Sequence, residues 1–139
     1  MGRILGIDYG DSRIGLALSD PTKVIASPFQ TLHNKGLSTL IKELEDLIIE
    51  KDIECFVIGL PIGLDGNDTK QTKKVRDFVV AINEAVNVPI HFQDERLSTQ
   101  SASRSLVKQN IKTGHNKKMI DQRAAAIFLQ QFLDINCNK

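Results

Sequence analysis

Aromatic residues are scarce in this chain: six Phe, one Tyr and no Trp among 139 residues. That argues against an extended platform on which nucleobases could stack. Only two cysteines occur, Cys55 in an apolar run and Cys137 in a polar tail. They make neither a disulfide framework nor a zinc site, and a reducing, cytoplasmic compartment is the expectation. No apolar run is long enough to span a membrane and no signal-peptide core precedes the first strand, so no membrane partner is expected. The three histidines, His33, His91 and His115, lack ligand spacing and read as structural or exposed.

Net charge is nearly absent as well, at +1, but the charges are unevenly placed. Residues 37–66 hold two lysines against seven carboxylates, whereas residues 96–123 hold seven Lys or Arg against Asp121 alone. One part of the chain could therefore face phosphate while the whole stays near neutral. With 41% hydrophobic and 25% charged residues, the composition is that of one ordinary domain, 1–139.

Apolar periodicity orders the elements. Arg3–Asp8 and Arg13–Ser19 read as strands joined by a turn at Tyr9-Gly10-Asp11-Ser12. Val24–Leu32 reads as a third strand, and Pro28, lacking a backbone donor, assigns it to a sheet edge. Leu37, Leu40, Ile41, Leu44, Leu47 and Ile48 form one helical stripe. The continuous run Cys55–Leu60 suits a central strand buried on both faces. A second helix carries Val75, Phe78, Val79, Ile82 and Val86, with Asn67 or Asp68 as its expected cap. Pro89–Phe92 is a short strand. A third helix is expected from Ser98 or Thr99 to about Val107, a basic loop over 109–117, and a last helix from about Asn116 to Leu133. The order implies an α/β fold with a mixed five-stranded sheet, 3-2-1-4-5, strand 2 antiparallel and helices on both faces.

Asp8 closes the first strand within Gly6-Ile7-Asp8-Tyr9-Gly10. A carboxylate at the mouth of a buried strand is costly unless it is paired or holds a metal. Ligand sites in such sheets lie beyond the carboxyl ends of the parallel strands. Strand four ends there at Gly59-Leu60-Pro61, and strand five at Gln93-Asp94-Glu95-Arg96, so Asp94 or Glu95 should approach Asp8. Asp121 has Ala124, Ala125, Phe128 and Phe132 at helical spacing, which sets it on or beside a helix face packed on the sheet.

Three converging carboxylates without an internal cation would repel one another. Oxygen-only ligands suit Mg²⁺ or Mn²⁺, and a pair of such ions is the usual clamp for displacement at phosphorus. Arg13, Arg96 and Lys118 are the candidate contacts to nucleic acid. Each acid also has a structural reading: Asp8 as a turn cap, Asp94 or Glu95 as partner of Arg96 or Arg13, Asp121 as a first-turn acid favoured by the helix dipole.

The segment Gly6-Ile7-Asp8-Tyr9-Gly10, with Arg13-Ile14-Gly15-Leu16-Ala17 and Ser19-Asp20, resembles the opening motif of the YqgF family. These are small bacterial proteins of the ribonuclease H-like superfamily, related to the RuvC Holliday-junction resolvases. Gly59-Leu60-Pro61 with Asp65-Gly66 resembles the family's second motif, Asp94-Glu95-Arg96-Leu97-Ser98-Thr99 the third, and Asp121 with Ala124-Ala125 the fourth. Two departures stand in the second motif: Gly63 where the family often has Asn, and Asn67-Asp68-Thr69-Lys70 in place of a Gly-rich continuation. The resemblance implies a ribonuclease H-like nuclease with catalytic and metal-binding positions at Asp8, Glu95 and Asp121, favouring Glu95 over Asp94. It implies pre-ribosomal RNA as substrate, at the 5′ end of pre-16S rRNA, with branched DNA as the alternative. A low-turnover RNA-binding module for ribosome assembly would carry the same acids. Gly-Ile-Asp-x-Gly also opens actin-like ATPases and sugar kinases, but those hold nucleotide between two lobes, and this chain is sized for one. Monomer and homodimer both remain open, a four-way junction favouring a two-fold dimer.

Overall fold

The computed structural model describes residues 2–63, 65–94 and 117–137. Five strands form one sheet in the order β3-β2-β1-β4-β5. They are β1 (Arg3–Tyr9), β2 (Arg13–Ser19), β3 (Ala26–His33), β4 (Ile53–Leu60) and β5 (Ile90–Asp94). The β1–β2 and β2–β3 pairs are antiparallel, while β4 runs parallel to both β1 and β5. The expected sheet order is therefore found. Helices α1 (Leu37–Lys51) and α2 (Lys70–Ala85) connect the parallel strands, and α3 (Lys117–Asn136) closes the described chain. The expected helix over 98–107 lies outside the described residues, as does the 109–117 loop apart from Lys117, which opens α3.

Strand pleating divides the core in two. Leu5, Ile7, Ile14, Leu16, Phe56 and Ile58 pack under α1 and α2 with Leu40, Leu44, Val75, Phe78 and Ile82. The opposite face, Ile4, Ala17, Cys55 and Val57, packs under α3 with Ala125, Phe128, Leu129 and Leu133. Helices thus cover both faces, as the two apolar stripes demand.

Most element ends fall within two or three residues of expectation, and two differences have local reasons. β3 begins at Ala26 rather than Val24, because the Asp20 carboxylate accepts the backbone N–H groups of Val24 (2.8 Å) and Ile25 (2.9 Å) in a turn. Neither Asn67 nor Asp68 caps α2. Thr69 does, in a reciprocal capping box with Thr72, while the Asn67 amide N–H donates to Asp65 (3.0 Å) and Asp68 pairs with Arg76 (2.9 Å). Pro28 does lie on the edge strand, at a register shift opposite Leu16 and Ala17.

Candidate functional site

Alternation along β1 decides where Asp8 goes. Tyr9 stacks on Phe78 of α2, with ring centroids 4.3 Å apart, so Asp8 belongs to the α3 face. Its cross-strand partner in β2 is Gly15. Opposite residues of an antiparallel pair project to the same side and lie within about 5.5 Å at Cα. A Cβ on Gly15 would stand only 2.3 Å from the backbone oxygen of Asp121 and 2.7 Å from its Cβ. The missing side chain of Gly15 is thus the space that seats the start of α3 on the sheet, next to Asp8.

Neighbouring contacts lock that seat. Gln122 donates to the Thr31 hydroxyl (2.9 Å), and Thr31 is the β3 partner of Gly15. Farther along, Gln130 of α3 accepts from the Ala26 N–H (2.8 Å) and donates to the Val24 carbonyl (2.9 Å). Gly6 brings α3 close to β1, where a Cβ would meet Leu129 at 3.0 Å. Small residues on the α3 face of both strands (Gly6, Gly15, Ala17, Ser19) were the readable signal for this close approach. Helix residues Ala124 and Ala125 suggested it from one side only.

Asp121 is half-buried, with 23% of its side chain exposed, and accepts a 2.8 Å bond from Arg13 Nε. This corrects two expectations. Asp121 does have an internal cation, so repulsion among the acids does not by itself demand a metal. Asp121 is also not a first-turn acid, since α3 starts four residues earlier, at Lys117. Arg13, expected at nucleic acid, is here held on a carboxylate.

Strand alternation puts Asp94 on the sheet face opposite Asp8. On β5, His91 touches Phe132 of α3 (5.3 Å between ring centroids), while Phe92 lies against Arg76 of α2 (5.9 Å). By alternation Asp94 shares the α2 side with Phe92. Glu95 and Arg96 lie outside the described residues, and Lys118 falls in the first turn of α3. Among the described residues no three of His, Cys, Asp and Glu form a metal cluster. The pair that is described, Asp8 and Asp121, offers carboxylate oxygens only. That donor set, carboxylate oxygens alone, is the kind a hard divalent cation takes.

The loop between β4 and α2 borders the same sheet end. Gly63 N–H bonds the Asn67 carbonyl (2.9 Å), Gln71 bonds the Tyr9 carbonyl (3.3 Å), and Lys74 reaches Asp11 (3.1 Å). The last two bonds tie α2 to the end of β1 and the β1–β2 turn beside Asp8.

A family model described as RuvX, Holliday junction resolvase, matches residues 2–135. The chain belongs to the RuvX family. This is the YqgF family whose four motifs the sequence carries. A relative from Roseiflexus sp. (strain RS-1), described as "Putative pre-16S rRNA nuclease", is 40% identical over 133 residues, covering 96% of this chain and 94% of the relative. One from Maridesulfovibrio salexigens, with the same description, is 37% identical over 94% of this chain and 97% of its own length. Among solved structures, Thermus thermophilus RuvC in complex with Holliday junction substrate aligns at a TM-score of 0.61 and 11% identity, covering 98% of this chain and 97% of that one. The yeast mitochondrial Holliday junction resolvase Ydc2 aligns at 0.54 and 12% identity, over 99% and 82%. At these identities the likeness establishes the fold, and RuvX-family membership rests on the sequence match. No helix among the described residues is long and apolar enough to cross a membrane.

Proposed function

We propose that this chain is a divalent-metal-dependent endonuclease that hydrolyses phosphodiester bonds in structured nucleic acid, at the 5′ end of pre-16S rRNA. The observation that carries the reading is the juxtaposition of Asp8 and Asp121 across Gly15, at the carboxyl end of the parallel strands. The relatives' shared description supports the RNA substrate. The family description supports branched DNA as the second reading.

In this reading Asp8 and Asp121 hold Mg²⁺ or Mn²⁺ together with Glu95, the acid left at the strand-five end once Asp94 is assigned to the opposite face. A divalent ion so held supplies charge neutralisation and activation of water for in-line displacement at phosphorus. The protein's part is to fix the two carboxylates from a strand and a helix, rigid elements that keep their geometry. Arg13, Arg96 and Lys118 hold the polyanion, and one domain, 1–139, carries the site. Two free thiols, Cys55 and Cys137, agree with a cytoplasmic location.

One cleavage panel tests this. Pre-16S rRNA fragments and four-way DNA junctions are incubated with Mg²⁺, Mn²⁺ or chelator, using wild type and Asp8→Asn. Metal-dependent cleavage of the RNA, absent in Asp8→Asn, is the expected result. Equal cleavage by the two proteins overturns the site, and junction cleavage alone transfers the substrate to DNA.

A further inference from the structure

Arg13 holds the one carboxylate of the described pair that comes from α3. It does so through Nε alone, to Asp121 Oδ2 at 2.8 Å, with 31% of the Arg13 side chain exposed. The bond is single rather than the two-pronged fork that makes Arg–carboxylate pairs strong. Among the described residues no other hydrogen-bond partner holds the remaining guanidinium N–H groups, and they sit at the sheet end proposed above as the metal site.

We propose that Arg13 is a stand-in for the metal: its guanidinium neutralises Asp121 until a divalent cation takes the carboxylate, and is then released to the substrate's phosphate. The inference rests on the metal site proposed above. Its logic is electrostatic. A cation and a guanidinium cannot both sit on one half-buried carboxylate without mutual repulsion. A single hydrogen bond on a partly exposed pair is weak enough to yield. Displacement swaps one neutralising charge for another on Asp121, so α3 keeps its seat on Gly15. The freed guanidinium gains a planar donor set matched to phosphate oxygens. Metal loading and substrate binding would thereby be coupled through one residue, with substrate contact made only when the metal is in place.

The test titrates Mn²⁺ calorimetrically into wild type, Arg13→Gln and Arg13→Lys, and measures binding of a hairpin RNA in Ca²⁺ and in EDTA. Arg13→Gln, which removes the competitor, should bind Mn²⁺ roughly two- to fivefold more tightly than wild type. Arg13→Lys should fall between the two. Arg13→Gln should also lose roughly tenfold in RNA affinity in Ca²⁺ and nothing in EDTA. If Arg13→Gln does not fold, Arg13→Lys decides by the same comparison. Equal or weaker Mn²⁺ binding by the variants, with wild type binding Mn²⁺ normally, overturns the stand-in and leaves Arg13 a structural tether. An equal loss of RNA affinity in EDTA overturns the release step. Absence of Mn²⁺ binding by wild type itself overturns the metal reading of the site, and this inference with it.

Discussion

Gly15 offers the sharpest test of how the site is built. In Gly15→Ala the new Cβ would lie 2.3 Å from Asp121 O, 2.4 Å from its carbonyl carbon and 2.7 Å from its Cβ, where ordinary contact starts at 3.4 Å. The obstructing atoms are mostly backbone, so no rotamer change relieves them, and α3 must retreat by about 1 Å at Asp121. Overpacking of this kind costs about 1–3 kcal/mol, which for a chain of this size lowers the melting temperature by about 3–10 °C. The same retreat moves Asp121 relative to Asp8, and misplacement by about 1 Å can cost about 100-fold in rate. Gly6→Ala is the control. Its Cβ meets Leu129 Cβ and the Ala125 carbonyl at 3.0–3.2 Å, so α3 need give only a few tenths of an ångström there. Circular-dichroism melting and RNA cleavage rates would be compared for the three proteins. Gly15→Ala should lose far more activity than Gly6→Ala, and more than its stability loss accounts for at a temperature where it is folded. A Gly15→Ala protein that melts and cleaves like wild type would refute the close-approach argument and the placement of Asp121 built on it.

Other perturbations should follow equally local physics. Thr69→Ala removes the cap of α2 and should cost about 1 kcal/mol in urea unfolding. Thr72→Val should cost more, about 1–3 kcal/mol, because Thr72 is fully buried and also donates to the Pro61 carbonyl. Burial pushes the Cys55 thiol up to about 11, whereas Cys137 is exposed. One thiol per chain should therefore react with a maleimide at pH 8 in the native state, and two in denaturant. The Asp20 carboxyl is held well below the usual carboxylate range, first by the Ile25 backbone N–H and then by the Thr22 hydroxyl. Its contribution to stability is present above the unfolded value near 3.8 and is lost as pH falls through the lower native value. An NMR titration should accordingly find Asp20 still ionised at pH 3.

The architecture could be read from the chain because its causes are short-range. Apolar spacing of 3.6 between Leu37 and Ile48 marks α1, the run ending at Leu60 marks a doubly covered strand, and Pro28 marks an edge. Those patterns, with right-handed crossovers, leave little choice of strand order. The candidate acids were legible too, as residue types at strand ends and on one helix face. The family resemblance favours Glu95 over Asp94, but the sheet face that Asp94 takes became visible only through Phe92 on Arg76 and His91 on Phe132.

Residue types and periodicities along the chain thus determined the sheet, the helices and the carboxylates available to a site. Tertiary structure alone decided what those carboxylates meet. Arg13 and Asp121 are 108 residues apart, and no local pattern encodes their contact. It exists because Gly15 lacks a side chain, letting a helix backbone settle against β2 beside Asp8. That packing gave Asp121, one of the acids expected to repel one another, a cation already in place.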